Sequence, residues 1–238
     1  MYEIFSFIID NLLDILFWIF IFLFVVIFLL QKDFIGKGFY LLNKGRYLDA
    51  ISFFKRKSEK SPNKPGTYYA LGYCYYMLGY FSNAINNFEK AIELKLNRVS
   101  TYYLLAILNA DENKIGEALG YLEKGEVIQN KTGFLNRLTK YERSDYLGWV
   151  YFKKGEISKS FKFYDVAIPD WINKIKKDKK LGENFSSPCY RIGMILMKKN
   201  DIETARKMFK SAINASPESI FAKKSQEELG HLPSEEII

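Results

Sequence analysis

Histidine is almost missing from this chain. His231 is the only one in 238 residues, and it stands between Gly230 and Pro233 in the C-terminal tail, so neither a His-pair metal site nor a buried catalytic dyad can be built on it. Cysteine is nearly as scarce. Cys74 and Cys189 are far apart and cannot form the dense framework of a small secreted domain, so two isolated buried thiols are expected, which fits a reducing compartment. The phosphate-binding pattern G-x-x-x-x-G-K-[ST] and the nucleophile pattern G-x-S-x-G are both absent, and Gly36-x-Gly38 lacks the third glycine and the preceding strand of a dinucleotide loop. Paired carboxylates such as Glu89 and Glu93, or Glu227 and Glu228, fall on solvent-facing helix positions. The expectation is a protein without catalytic residues, metal, cofactor or small-molecule substrate.

Charge is plentiful but uneven. The formal net charge is +8, and nine Lys/Arg between Lys32 and Lys64 face only Asp33, Asp49 and Glu59, a local +6. A second run, Lys174 to Lys180, holds five lysines and Asp178, a local +4, which reads as a solvated loop or helix extension. The two runs sum to +10, so the remainder of the chain is at −2. Basicity in two local runs argues against a continuous nucleic-acid-binding stripe. The first run can attract anionic headgroups, at about 1 kcal/mol per basic residue near the surface, or serve only as a topology signal and solvated helix face.

What is present in quantity is a period. Between Pro65 and Arg98, Tyr68, Leu71, Gly72 and Tyr75 share one face of a first helix, Ala84, Phe88 and Ala91 share one face of a second, and Gly79 breaks the chain between them. Gly72 and Ala84 are small where two helices must approach closely, with Tyr68, Tyr75 and Phe88 filling the space on either side. Stepping back by 34 residues finds Gly38, Gly45, Ala50, Phe54 and Pro62, and stepping forward finds Tyr102, Leu105, Ala106, Ala118 and Leu122. With insertions of 8 and 11 residues the register continues through Gly148, Gly155, Tyr164 and Ala167, then Ile192, Gly193, Ala205, Phe209, Ala212 and Pro217. Five hairpins are predicted, at about 31–64, 65–98, 99–132, 141–174 and 186–219, with a polar capping helix at 220–229 ended by Gly230 and a tail at 231–238.

The order Tyr-x-x-Leu-Gly-x-x-Tyr followed by Ala-x-x-x-Phe-x-x-Ala resembles the tetratricopeptide repeat, although Leu96 stands where that repeat usually has proline, and Ser144 and Ser160 depart from the pattern. The resemblance implies an all-α solenoid over 32–230 whose first helices line a concave groove. At the fifth, ninth and twelfth positions of each repeat that groove would present Tyr69, Tyr73 and Tyr76, then Tyr103, then Trp149 and Phe152, then Tyr190, Met194 and Met197. Aromatic and methionine side chains suit an apolar or amphipathic peptide segment, so a protein or peptide partner is expected and nucleic acid is not. The alternative is that these rings pack between repeats. The Lys and Asn residues with which some family members clamp a chaperone's C-terminal carboxylate are missing.

Ahead of the repeats the chain changes character. Ile15 to Leu30 carries no charged or polar side chain, and extension back to Leu12 admits only Asp14. At about 1.5 Å per residue such a run is roughly 24 to 29 Å long, enough for the ~30 Å hydrocarbon core. Residues 1–31 are therefore expected to be an uncleaved single transmembrane anchor, since no basic residue precedes the run and no small-residue cleavage site follows it. Glu3, Asp10 and Asp14 precede it, while Lys32, Lys37, Lys44 and Arg46 follow, and these basic residues would face lipid headgroups. That asymmetry puts the repeats on the cytoplasmic side of an inner membrane, with an extracytoplasmic adaptor or chaperone as the alternative. The reading is a membrane-anchored interaction scaffold; a basic lipid- or nucleic-acid-binding module is the third possibility, weakened by the charge distribution.

Overall fold

The computed structural model describes residues 16–23, 36–131, 133, 137–177 and 182–233. Every regular element among them is helical. The chain divides into two compact units, Met1–Leu41 and Leu42–Ile238.

In the first unit, residues 16–23 are helical, and Leu16, Phe17, Trp18, Ile19, Phe20, Phe22 and Leu23 are all about half-exposed or more. Among the described residues no helix is long and apolar enough to cross a membrane. Most of the predicted span, Leu12 to Leu30, lies outside the described residues, as does Lys32. A second helix, α1 (36–43), crosses the boundary between the units.

The second unit is a series of helical hairpins. α2 (Tyr47–Lys60) is followed by four pairs: α3 (Pro65–Leu78) with α4 (Phe81–Glu93), α5 (Val99–Asp111) with α6 (Ile115–Lys131), α7 (Lys140–Lys154) with α8 (Ile157–Lys177), and α9 (Ser186–Lys198) with α10 (Ile202–Ala215). α11 (Ile220–His231) caps the last pair and runs through Gly230, two residues past the predicted end at 229; Leu232 then turns into the core and Pro233 follows. The lysine run is partly helix extension, since α8 continues to Lys177.

One backbone position makes every hairpin turn. Gly45, Gly79, Asn113, Gly155 and Asn200 occupy the fifteenth residue of successive repeats, and each has φ between 61° and 87°. This left-handed region is strained for most side chains and open to glycine and, at lower cost than most, to asparagine.

In the second, fourth and fifth hairpins the seam follows the spacing read from the sequence. A Cβ added at Gly72 would lie 2.7 Å from the Phe88 ring, at Gly148 2.7 Å from the Tyr164 ring, and at Gly193 2.5 Å from the Phe209 ring. The hydrogen at these glycines lets an aromatic ring from the second helix lie against the first helix's backbone. In the third repeat Ala106 and Leu122 replace the glycine–ring pair, and the close approach moves to Gly125, where a Cβ would meet Tyr103 at 2.9 Å. Ala84, Phe88 and Ala91 are fully buried, as are Ala205, Phe209 and Ala212.

Candidate interaction face

The first helices of the hairpins, joined by α11, line one inner face: α5 packs on α7, α7 on α9, α9 on α11, and α11 on α3. The last contact joins residues from the second repeat to the C-terminal cap. The face consequently closes on itself within this unit.

The aromatic side chains of the face form a continuous string. Ring centroids are separated by 6.3 Å from Tyr73 to Tyr76, 4.9 Å from Tyr76 to Phe221, 6.0 Å from Phe221 to Tyr190, 6.2 Å from Tyr190 to Trp149, and 5.4 Å from Trp149 to Phe152. The Trp149 indole N–H donates to Asp111 Oδ1 at 2.9 Å, which fixes the ring's orientation. Lys224 Nζ lies 5.8 Å from the centre of the Tyr190 ring and 5.4 Å from that of Phe81, within the range of cation–π attraction.

A polar cluster joins this string. Arg191 and Asp145 form an ion pair with side chains only 3% and 2% exposed, Arg191 Nε donating to Asp145 Oδ1 at 3.0 Å. Tyr164 donates its hydroxyl to the same carboxylate at 3.1 Å. Arg191 Nη1 also donates to the Tyr76 hydroxyl at 3.2 Å and to Ser187 Oγ, and the Tyr76 and Ser187 hydroxyls are hydrogen-bonded to each other. Burial, offset in part by the nearby Arg191 charge, pushes the Tyr76 hydroxyl up to about 12. Burial likewise pushes the Cys74 and Cys189 thiols up to about 12, so both are protonated and poorly nucleophilic at neutral pH. Among the described residues no group of His, Cys, Asp and Glu could hold a metal ion.

The nine residues expected to form an open groove divide into two sets. Tyr76, Tyr103, Trp149 and Tyr190 are buried, Tyr103 against Gly125 with its hydroxyl donating to Glu126 Oε1 at 2.5 Å. For these four the expectation of a solvent-open groove is corrected: neighbouring repeats and α11 cover them. Tyr69, Tyr73, Phe152, Met194 and Met197 are half-buried and retain surface. Tyr69 lies under the Arg98 guanidinium at 4.3 Å, on the link to the third repeat. Of the basic residues expected to face lipid, Lys37, Lys44 and Arg46 are exposed, and Arg46 pairs with Asp49 at 2.6 Å.

The sequence reading did not single out Arg191 or Phe221 for this face. Arg191 did leave a signal, being the one charged residue at the sixth repeat position, where repeats two to four have Ala70, Leu104 and Tyr146. Phe221 left none, because it lies in the cap outside the repeat template.

Residues 43–125 match the family model of subunit 3 of the anaphase-promoting complex (cyclosome), and residues 186–219 match the tetratricopeptide repeat model. None of the curated proteins matches the sequence. Among solved structures, the Cut9–Hcn1 hetero-tetramer of the anaphase-promoting complex is similar over 83% of this chain, at 16% identity and a TM-score of 0.58. The match spans 35% of that longer chain. TTC0263, a thermophilic tetratricopeptide repeat protein of Thermus thermophilus, is similar over 83% of this chain and 98% of its own, at 16% identity and a TM-score of 0.55. The class is thus an α-solenoid of helical hairpins. The two sequence matches and these folds support the tetratricopeptide repeat family, whose members generally mediate protein–protein interaction.

Proposed function

We propose that this protein is a membrane-anchored, non-enzymatic scaffold that holds a protein or peptide segment against the inner face of its repeats. The observation that carries the reading is the aromatic string running from Tyr73 to Phe152 through three first helices and the cap, with surface retained at Tyr73, Phe152, Met194 and Met197. Rings present large contact area at low entropic cost and methionine adapts to irregular shapes, so an apolar or amphipathic segment is the complementary ligand. Anchoring rests on the uncharged run Ile15 to Leu30 and on the exposed apolar side chains at 16–23, and cytoplasmic orientation rests on the basic residues that follow the run.

Two measurements test this. Protease added to intact spheroplasts should leave the repeats uncut until lysis; digestion without lysis would turn the array to the other side of the membrane and favour an extracytoplasmic adaptor. Proximity labelling from the full chain should yield a defined set of neighbours whose recovery drops at least about tenfold, or 1.4 kcal/mol, in Tyr73→Ala and Met194→Ala at unchanged helix content. Unchanged recovery in both would remove the inner face as the docking surface.

A further inference from the structure

Solenoid repeats are held by their nearest neighbours in sequence, yet this array carries one seam that joins distant repeats. Tyr76 and Gly79 at the end of the second repeat's first helix meet α9 and α11. Phe221 lies on the Tyr76 ring at 4.9 Å, and Ile220 would be 2.9 Å from a Cβ at Gly79. The Tyr76 hydroxyl bonds to Arg191 and Ser187, 115 and 111 residues away. Nearby, the Tyr47 hydroxyl pairs with Ser216 Oγ at 2.6 Å.

The distribution of charge across this seam is uneven. Both members of the buried ion pair, Arg191 and Asp145, lie on the C-terminal side, on the adjacent helices α9 and α7. Among the described residues, the N-terminal side meets this cluster through the neutral hydroxyls of Tyr76 and Tyr47 and through apolar contacts. Separating the two sides therefore leaves the ion pair intact, keeps every hairpin seam closed, and breaks hydrogen bonds that water can replace. Separation also uncovers Tyr76, Phe221 and Tyr190, the middle of the aromatic string, which is buried when the seam is shut.

We infer that the α3–α9/α11 seam is a latch: the array opens there without unfolding any repeat, and Phe221 is a built-in occupant of the inner face that an apolar side chain of a partner segment displaces from Tyr76. This deepens the inner-face reading proposed above and rests on it only for the identity of the occupant. The polar side of the latch fixes the register of closure and the apolar side is the part exchanged with the partner.

The test uses the full chain in detergent with nitroxide labels at Ser82→Cys and Lys223→Cys, both exposed sites flanking the seam, while the buried native thiols stay unlabelled. A control pair, Lys198→Cys and Lys210→Cys, lies within the α9–α10 hairpin. The seam pair should show a second, longer distance population beside the closed one. Its share should rise at least about threefold in Tyr76→Phe, which removes only a hydroxyl from the latch. The control pair should keep a single distance in both forms, and helix content should not change. A single distance for the seam pair that Tyr76→Phe leaves unaltered overturns the latch, as does broadening of both pairs together, which would mean that Tyr76 supports the fold as a whole. A seam that opens while proximity labelling stays unaffected by Tyr73→Ala and Met194→Ala would keep the latch and overturn the inner-face docking on which its occupant rests.

Discussion

Inside the second to fifth hairpins the two helices meet through a small residue under a single large side chain, whereas across the array distant repeats meet through hydroxyls, an arginine and the edge of a capping helix. The first kind of contact is local, apolar and repeated: Gly72 with Phe88, Gly148 with Tyr164, Gly193 with Phe209. Among the described residues the second gathers around Tyr76, Arg191 and Phe221, with the Tyr47–Ser216 pair beside it. The repeated seam sets whether the chain folds into hairpins, and the second sets how far the array closes. Dispersion and desolvation at the hairpin seam tolerate no added volume, because the ring has helix backbone on one side and packed core on the other. The polar seam tolerates changes in volume better than a change in the balance of charge.

The sharpest way to separate the two is to unbalance the charge. Asp145→Ala leaves the Arg191 guanidinium buried without its carboxylate, and the expected loss is about 3–5 kcal/mol, measured by denaturant unfolding of the full chain. Asp145→Leu combined with Arg191→Met removes both charges and should recover most of that loss. A loss under about 1 kcal/mol in Asp145→Ala would mean that water reaches the pair.

Gly193→Ala tests the other interface. Its Cβ would overlap the Phe209 ring, so a loss of about 1–3 kcal/mol is expected in the same assay, with the closed position of the seam labels unchanged. Equal stability of the variant and the parent would put the close approach elsewhere.

Ser219→Ala probes the junction between the two. Its hydroxyl accepts from the Ala222 amide at 3.1 Å, capping α11, and bonds Ser186 Oγ at 2.8 Å and the Ser216 carbonyl at 2.8 Å. Loss of that cap is expected to lower stability by about 1 kcal/mol and to increase fraying of α11, read by amide exchange. Protection of α11 equal to the parent's would show that packing alone orders it.

The smallest effect is expected at a glycine outside both interfaces. Gly230 sits in α11 with nothing within 4 Å of an added Cβ. Gly230→Ala should raise stability by about 0.5–1 kcal/mol through helix propensity. A loss there would show that the added methyl meets a neighbour.

The hairpins were legible because their determinants lie within one period of sequence. Gly72, Ala84 and Phe88 recur at fixed spacing, and the left-handed turn marks itself with Gly45, Gly79, Asn113, Gly155 and Asn200. Gly230, helical where a stop was expected, and the third repeat, where the close approach moves to Gly125, departed from that reading. The inner face was less legible. A repeat template has no term for what a ring meets beyond its own period, so four of the nine side chains read as open are buried: Tyr76 under Phe221, Tyr190 beside Phe221 and Trp149, and Tyr103 against Gly125 and Tyr146.

What the sequence by itself determined is the hairpin: which residues approach, where the chain turns and how often the unit recurs, all consequences of steric limits acting over a few dozen residues. What only the tertiary structure decided is which inner-face rings meet solvent and which meet α11. That outcome depends on the small twist from each hairpin to the next, which accumulates over the array until Phe221 reaches Tyr76, 145 residues away in the chain. No single period encodes a sum over all of them.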